Sequence, residues 1–228
     1  MLEIKFVNRG FKDNLVLIPG WATDYRIFQP LELNYNYLLV SEFSPFSFTQ
    51  DLSQYLKSNS IAKISILGWS LGGFLAADFT VRNRDNVEQL ILLGMREKYK
   101  VQALTGIEEK LKKNRVAWLY KFYLDCFSRN DRQGLSWFRK ELLKDYLKKQ
   151  ELLGLIAGLD YLSRVALDIN SLKQIESLRI FHGSADIIAP LKEALAIKAQ
   201  LPKAEFVSVQ KVGHALFLSS SFKDIFHG

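Results

Sequence analysis

The chain has 228 residues, 48% hydrophobic and 24% charged, the proportions of a globular protein that buries a core and, at this length, of one α/β unit carrying an insertion. A single cysteine, Cys126, excludes an internal disulfide or cysteine metal cluster, and the charge-free central run Ile64–Ala77 is too short and too broken by glycine and serine to cross a bilayer. The net charge is +7; all of the excess lies in residues 96–165, and the remainder is neutral, so an acidic partner would be steered toward one segment.

The N-terminal run Met1–Phe6 alternates like a strand and lacks the apolar core of a signal peptide. Short β-rich runs bounded by turn residues then predict strands at Glu3–Asn8, Leu15–Ile18, Tyr37–Val40, Lys63–Leu67 and Gln89–Leu93, and later at Leu178–His182 and Glu205–Val209. Three of them are almost wholly apolar, as strands covered on both faces are. Helical patterns lie between them at Asp51–Lys57, Leu71–Val81 and Leu191–Gln200, with a weaker one at Ala215–Phe226. The alternation predicts a mostly parallel sheet flanked by helices.

Residues 107–165 read differently. Leu111, Trp118, Leu119, Phe122, Tyr123, Cys126 and Phe127 recur at helical spacing with cations between them, and a second amphipathic stretch runs from Trp137 to Leu147. We expect a core of residues 1–95 and 166–228 and a helical lid of residues 96–165. Allowing for one strand missing from the register, that lid falls between the sixth and seventh strands. Packing explains the spacing of its aromatics better than base stacking does, so no nucleic-acid partner is expected.

The turn Gly68-Trp69-Ser70-Leu71-Gly72 follows an apolar strand and opens a helix. A G-x-S-x-G pentapeptide carries little alone, but strand–turn–helix is the setting that lifts a serine hydroxyl above a sheet. Flanking glycines keep side chains out of the turn, and the new helix aims its first amides at a developing oxyanion. Serine is a weak nucleophile and needs a base. Among three histidines, His227 is penultimate and His182 ends a strand, where packing accounts for it. His214 follows the last strand, where parallel sheets present their functional loops. Asp186, just beyond the strand Leu178–His182, sits in the chain order expected of the orienting carboxylate, although taken alone it reads first as a turn aspartate capping the helix after Pro190. The oxyanion donors would be the amides of Leu71 and of Trp21 in Pro19-Gly20-Trp21. No residue cluster suggests a metal, and no cofactor is expected.

Gly20-Trp21, the run Gly68–Gly73, Gly183–Pro190 around Asp186, and His214-Ala215 with Phe217 together resemble the α/β-hydrolase carboxylesterases of biotin synthesis, which cleave pimeloyl-acyl-carrier-protein methyl ester. The resemblance implies an α/β-hydrolase fold and substrate contacts from Trp21, Trp69 and Phe122. It also implies an acyl carrier protein as partner, docked by lid cations; here Arg115, Lys121, Arg129, Arg132 and Arg139 occupy the comparable region. The expectation is a monomeric cytoplasmic esterase without membrane attachment. Three departures stand out: Pro19-Gly20 replaces the usual His-Gly, the loop Ser41–Phe46 lacks a glycine-rich turn, and the chain is shorter than typical members. A thioesterase, a lactonase or a small-molecule carboxylesterase would use the same scaffold and triad. A non-catalytic ligand-binding member would be expected to have lost a triad position, and none is missing.

Overall fold

The computed structural model describes residues 2–227. In chain order the elements are β1 (Glu3–Val7), β2 (Asn14–Ile18), β3 (Asn36–Glu42), α1 (Phe48–Ser58), β4 (Ile64–Trp69), α2 (Leu71–Arg82) and β5 (Val87–Leu93). There follow α3 (Val101–Asp125), α4 (Arg132–Phe138), α5 (Lys144–Lys149), α6 (Leu152–Arg164) and α7 (Ile169–Leu172). The chain closes with β6 (Leu178–Gly183), α8 (Leu191–Gln200), β7 (Glu205–Val209) and α9 (Phe222–His227).

The strands form one seven-stranded sheet in the order β1-β3-β2-β4-β5-β6-β7. Only β1 is antiparallel; every other pairing is parallel. Every residue of β4 and the last four of β2 and of β5 are buried, because helices cover both faces of this part of the sheet. This is the predicted architecture, with local differences. Strand β3 runs on through Ser41 and Glu42, since Glu42 pairs with Glu3 of the edge strand. The weak helical pattern at Ala215–Phe226 splits into a 3₁₀ turn at Leu216–Leu218 and α9. Between them Ser219 is extended and its hydroxyl contacts that of Ser221 at 3.0 Å, the local side-chain bonding by which serine competes with helix.

The helices from α3 to α6 occupy the connection between β5 and β6, the fifth and sixth strands of this sheet, rather than the sixth and seventh. Among the described residues the sheet carries no additional strand before the insertion, so the register is one lower than the sequence places it. An isolated bridge between Lys98 and Ala166, with Leu167 N–H donating to Glu97 O at 2.9 Å, ties the outgoing chain to the returning one. Helix α3 breaks at Asn114, which is extended, and its side chain accepts from Ala117 N–H at 3.0 Å, capping the second half like a helix start. Among the described residues no helix is long and apolar enough to cross a membrane.

Candidate active site

Strand β4 delivers Ser70 into a tight turn. Ser70 has φ 54° and ψ −115°, a left-handed conformation that costs a residue with a Cβ about 1–3 kcal/mol. Surrounding structure holds it there: Ser70 N–H donates to Leu93 O at 2.9 Å, and Gly73 N–H donates to Ser70 O at 2.9 Å. Glycine is required nearby by close backbone approach. A Cβ on Gly68 would lie 2.2 Å from the Gly72 carbonyl oxygen, and one on Gly72 would lie 2.3 Å from that of Ile18.

Asp186 stands in the loop after β6 and His214 in the loop after β7; both are buried. The Asp186 carboxylate accepts three hydrogen bonds. Its Oδ1 accepts from the amides of Ile188 and Ala189, each at 2.8 Å, and its Oδ2 accepts from His214 Nδ1–H at 2.6 Å. Burial pushes this carboxyl up, but His214, His182 and the Ala189 amide outweigh it and hold the group below the ordinary aspartate value. With Nδ1–H donating to Asp186, His214 presents Nε2 as an acceptor, and this buried nitrogen has no protein partner. The ring leans on Trp69, the residue before Ser70, at 5.4 Å between centroids. Ser70, Asp186 and His214 thus all stand past strand ends at the carboxyl edge of the sheet. Among the described residues no hydrogen bond joins Ser70 to His214.

Trp21 and Leu71 also stand at this edge. Among the described residues neither backbone amide donates a hydrogen bond to the protein. Leu71 opens α2, where the first amides have no intrahelical acceptor. The Trp21 indole is buried, donates to Leu155 O of α6 at 2.9 Å, and meets Trp118 and Phe122 edge-on. Together with Ser70 these aromatics wall a cavity of ≈ 430 Å³. Trp118 and Phe122 stack in parallel, their ring centroids 5.5 Å apart. A larger cavity of ≈ 740 Å³ opens between α1, α2 and the return from the insertion, with none of Ser70, Asp186 or His214 in its wall.

The remaining expected residues divide. Trp69 lies outside the cavity, on the buried side of the turn, where its indole donates to His214 O at 3.0 Å and packs on Phe217. Lys121 is at the cavity mouth, paired with Asp125. Arg115 donates to the Gln150 carbonyl and is half-buried within the insertion. Arg129, Arg132 and Arg139 are exposed, without an ion-pair partner among the described residues, and none of them lines the cavity.

Sequence reasoning missed Tyr99 and gave Trp118 only a packing role. Tyr99 follows the end of β5 by six residues and shares the cavity wall with Ser70. Its ring carries the Arg96 guanidinium 4.6 Å from its centroid, and Arg96 pairs with Glu193 at 2.8 Å. Burial raises the Tyr99 phenol above the ordinary tyrosine value, opposed by the neighbouring Ser70 hydroxyl and Arg96. Its place just past a strand end was the available signal. No cluster of three or more metal-ligating side chains occurs among the described residues.

No profile of a known protein family matches the chain. Over 96% of its length it is 25% identical to a protein of Nitrosomonas europaea, covering 95% of that protein. Over 93% it is 25% identical to one of Aliivibrio salmonicida, covering 89% of that protein. Both bear the name pimeloyl-[acyl-carrier protein] methyl ester esterase. Among solved structures, a bromoperoxidase from Bacillus anthracis superposes with a TM-score of 0.85 over 99% of this chain and 94% of that one, at 18% identity. The chain has the α/β-hydrolase fold, as expected, and these relatives bear the name of the esterase family that its motifs resemble. A shared fold leaves the substrate open.

Proposed function

We propose that this carboxylic ester hydrolase is a serine esterase whose nucleophile is Ser70, with His214 as base and Asp186 as its orienting group. The observation that carries the reading is the 2.6 Å Asp186–His214 bond on two strand-end loops, at the same sheet edge as a strained turn that brings Ser70 to the wall of an aromatic cavity. Ser70 Oγ attacks the ester carbonyl carbon while His214 Nε2 takes its proton. The carbonyl oxygen becomes an oxyanion facing the Trp21 and Leu71 amides, donors whose loss each typically costs about 10²–10³ in turnover. Collapse breaks the bond to the alkoxy group, which leaves as an alcohol with the proton from His214. Water then attacks the acyl-enzyme with His214 as base, releasing the acid and restoring Ser70.

We read the substrate as the methyl ester of a pimeloyl chain held by an acyl carrier protein. The names of the full-length relatives support this, as do the aromatic side of the cavity built by Trp21, Trp118 and Phe122 and an insertion holding the chain's whole positive excess. Lys121 at the mouth and the exposed Arg129, Arg132 and Arg139 are the cations best placed for an acidic carrier. The test is hydrolysis of p-nitrophenyl esters and of the carrier-bound methyl ester by wild type and Ser70→Ala. Ser70→Ala should lose roughly 10⁴-fold or more in kcat on both. An inactive wild type, or a serine variant of equal rate, ends the reading. Reversing Arg129, Arg132 and Arg139 to Glu should raise KM about tenfold for the carrier-bound ester alone, with a weaker salt dependence. An unchanged KM would remove the carrier from it.

A further inference from the structure

The loop that carries His214 is held from two sides. On the sheet side, Lys211 N–H donates to Ser184 Oγ at 2.7 Å and Ala185 N–H donates to Val212 O at 2.9 Å. On the other side lies the turn between α3 and α4, residues 126–131 of the insertion. Ala215 N–H donates to Cys126 O at 3.0 Å, and Ser128 Oγ–H donates to Lys211 O at 2.6 Å. At the centre is Asp131, a buried carboxylate 8% exposed. Its Oδ2 accepts from Ser128 N–H at 2.6 Å and from Gly213 N–H at 2.8 Å.

Two features separate this from ordinary helix capping. Asp131 stands at the N-cap of α4, where an aspartate usually accepts from its own helix, yet its side chain makes no such bond. It reaches across 82 residues of sequence to the residue immediately before His214. Gly213 is shaped for that contact: a Cβ there would lie 2.7 Å from Ser128 N and 2.8 Å from Cys126 O, both backbone atoms that cannot yield cheaply. A carboxylate accepting from two backbone amides makes short, charge-assisted bonds that fix geometry more tightly than neutral ones.

We infer that Asp131 is a positioning residue for the base: from the insertion, it sets the height and direction of the His214 ring against Asp186 and Ser70. This rests on the reading of His214 as the base. A displaced ring leaves substrate binding alone, because neither Asp131 nor Gly213 lines the cavity. It slows only the proton transfers, where misplacement of about 1 Å can cost up to 10²-fold.

The experiment compares wild type, Asp131→Asn and Asp131→Ala on a small p-nitrophenyl ester, which needs no carrier, alongside proton NMR of the His214–Asp186 hydrogen bond. That bond should give a far-downfield signal, assigned by its loss in His214→Gln. Asp131→Ala should lower kcat by about tenfold to a hundredfold with KM within about twofold, and should shift or broaden the signal. Asp131→Asn keeps an oxygen acceptor and should retain the signal and most of kcat. If Asp131→Ala lowers the melting temperature but leaves kcat and the signal as in wild type, Asp131 is a strut of the fold and the inference is overturned. If wild type hydrolyses no ester, the esterase reading fails, while the NMR comparison still decides whether Asp131 positions His214.

Discussion

Ser70, Asp186 and His214 all stand on loops at the carboxyl ends of sheet strands, whereas the walls and clamps around them come from the insertion. The sheet supplies a strained serine turn and a carboxylate–imidazole pair made from its own loops. The insertion supplies Trp118 and Phe122 to the cavity and anchors both neighbouring loops. Tyr123 O–H donates to Ala22 O at 2.6 Å, Leu155 O receives the Trp21 indole, and Tyr146 contacts Asp24. Arg26 bridges Asp24 and Asp145. The helices over this site are therefore bound into it by hydrogen bonds and ion pairs at its most sensitive loops. The division suggests chemistry assigned to the sheet, and placement and selectivity to the insertion.

Changes to the sheet's own groups should cost most. Asp186→Asn keeps the size of the side chain but loses the charge that selects the His214 tautomer, and kcat should fall by about 10⁴-fold with little loss of fold. Steady-state kinetics on a small ester checks this; a fall of tenfold or less would mean that Asp186 does not orient the base. An insertion change of one methyl group should cost less. A Cβ on Gly158 of α6 would lie 2.5 Å from Trp21 Cδ1 and 2.9 Å from its Nε1. Because Leu155, one turn earlier, holds the same indole, the ring cannot simply swing aside. Gly158→Ala should destabilise the protein by about 1–3 kcal/mol through overpacking. By shifting the Trp21 turn it should also lower kcat by about tenfold. Urea unfolding and kinetics measure the two effects. Unchanged kcat despite lost stability would show that the insertion packs on the Trp21 turn without governing it.

What the sequence disclosed follows the same line. Strands such as Leu15–Ile18 and Ile64–Leu67 are legible because burial on both faces leaves apolar runs bounded by turns. Ser70, Asp186 and His214 could be placed on loops at one edge because a parallel sheet gathers its strand ends there. The face taken by a side chain at a strand end was not legible: Trp69 and Ser70 are adjacent, yet the indole packs beneath His214 while the serine meets the cavity. In the insertion, helical spacing revealed helices but not their orientation. That is set by contacts remote in sequence, such as Asp131 with Gly213 or Trp21 with Leu155. The break of α3 at Asn114 also turns Trp118 and Phe122 toward Trp21 in a way no uniform helical period describes.

The smallest expected effect concerns acid stability and separates the two regions by their titrating groups. His182, on β6, is fully buried; its Nε2–H donates to Ala189 O at 2.7 Å, and its Nδ1 has no partner. Burial holds this imidazole below its ordinary value of 6.5, with the nearby Asp186 and the Ala189 carbonyl acting in the opposite sense and His214 adding to the depression. The folded state therefore favours neutral His182, while the unfolded chain takes up a proton near the ordinary value. Above that value both states are neutral, and the stability contributed is fully present. As pH falls below about 6.5 toward the depressed folded value, the unfolded state binds more protons and stability is lost. Melting temperature measured from pH 8 to pH 5 should be level at first and then decline, and His182→Gln, which preserves a donor toward Ala189, should flatten the decline. An equal slope in the variant would move the acid sensitivity out of the sheet core and leave the insertion or its contacts as the source.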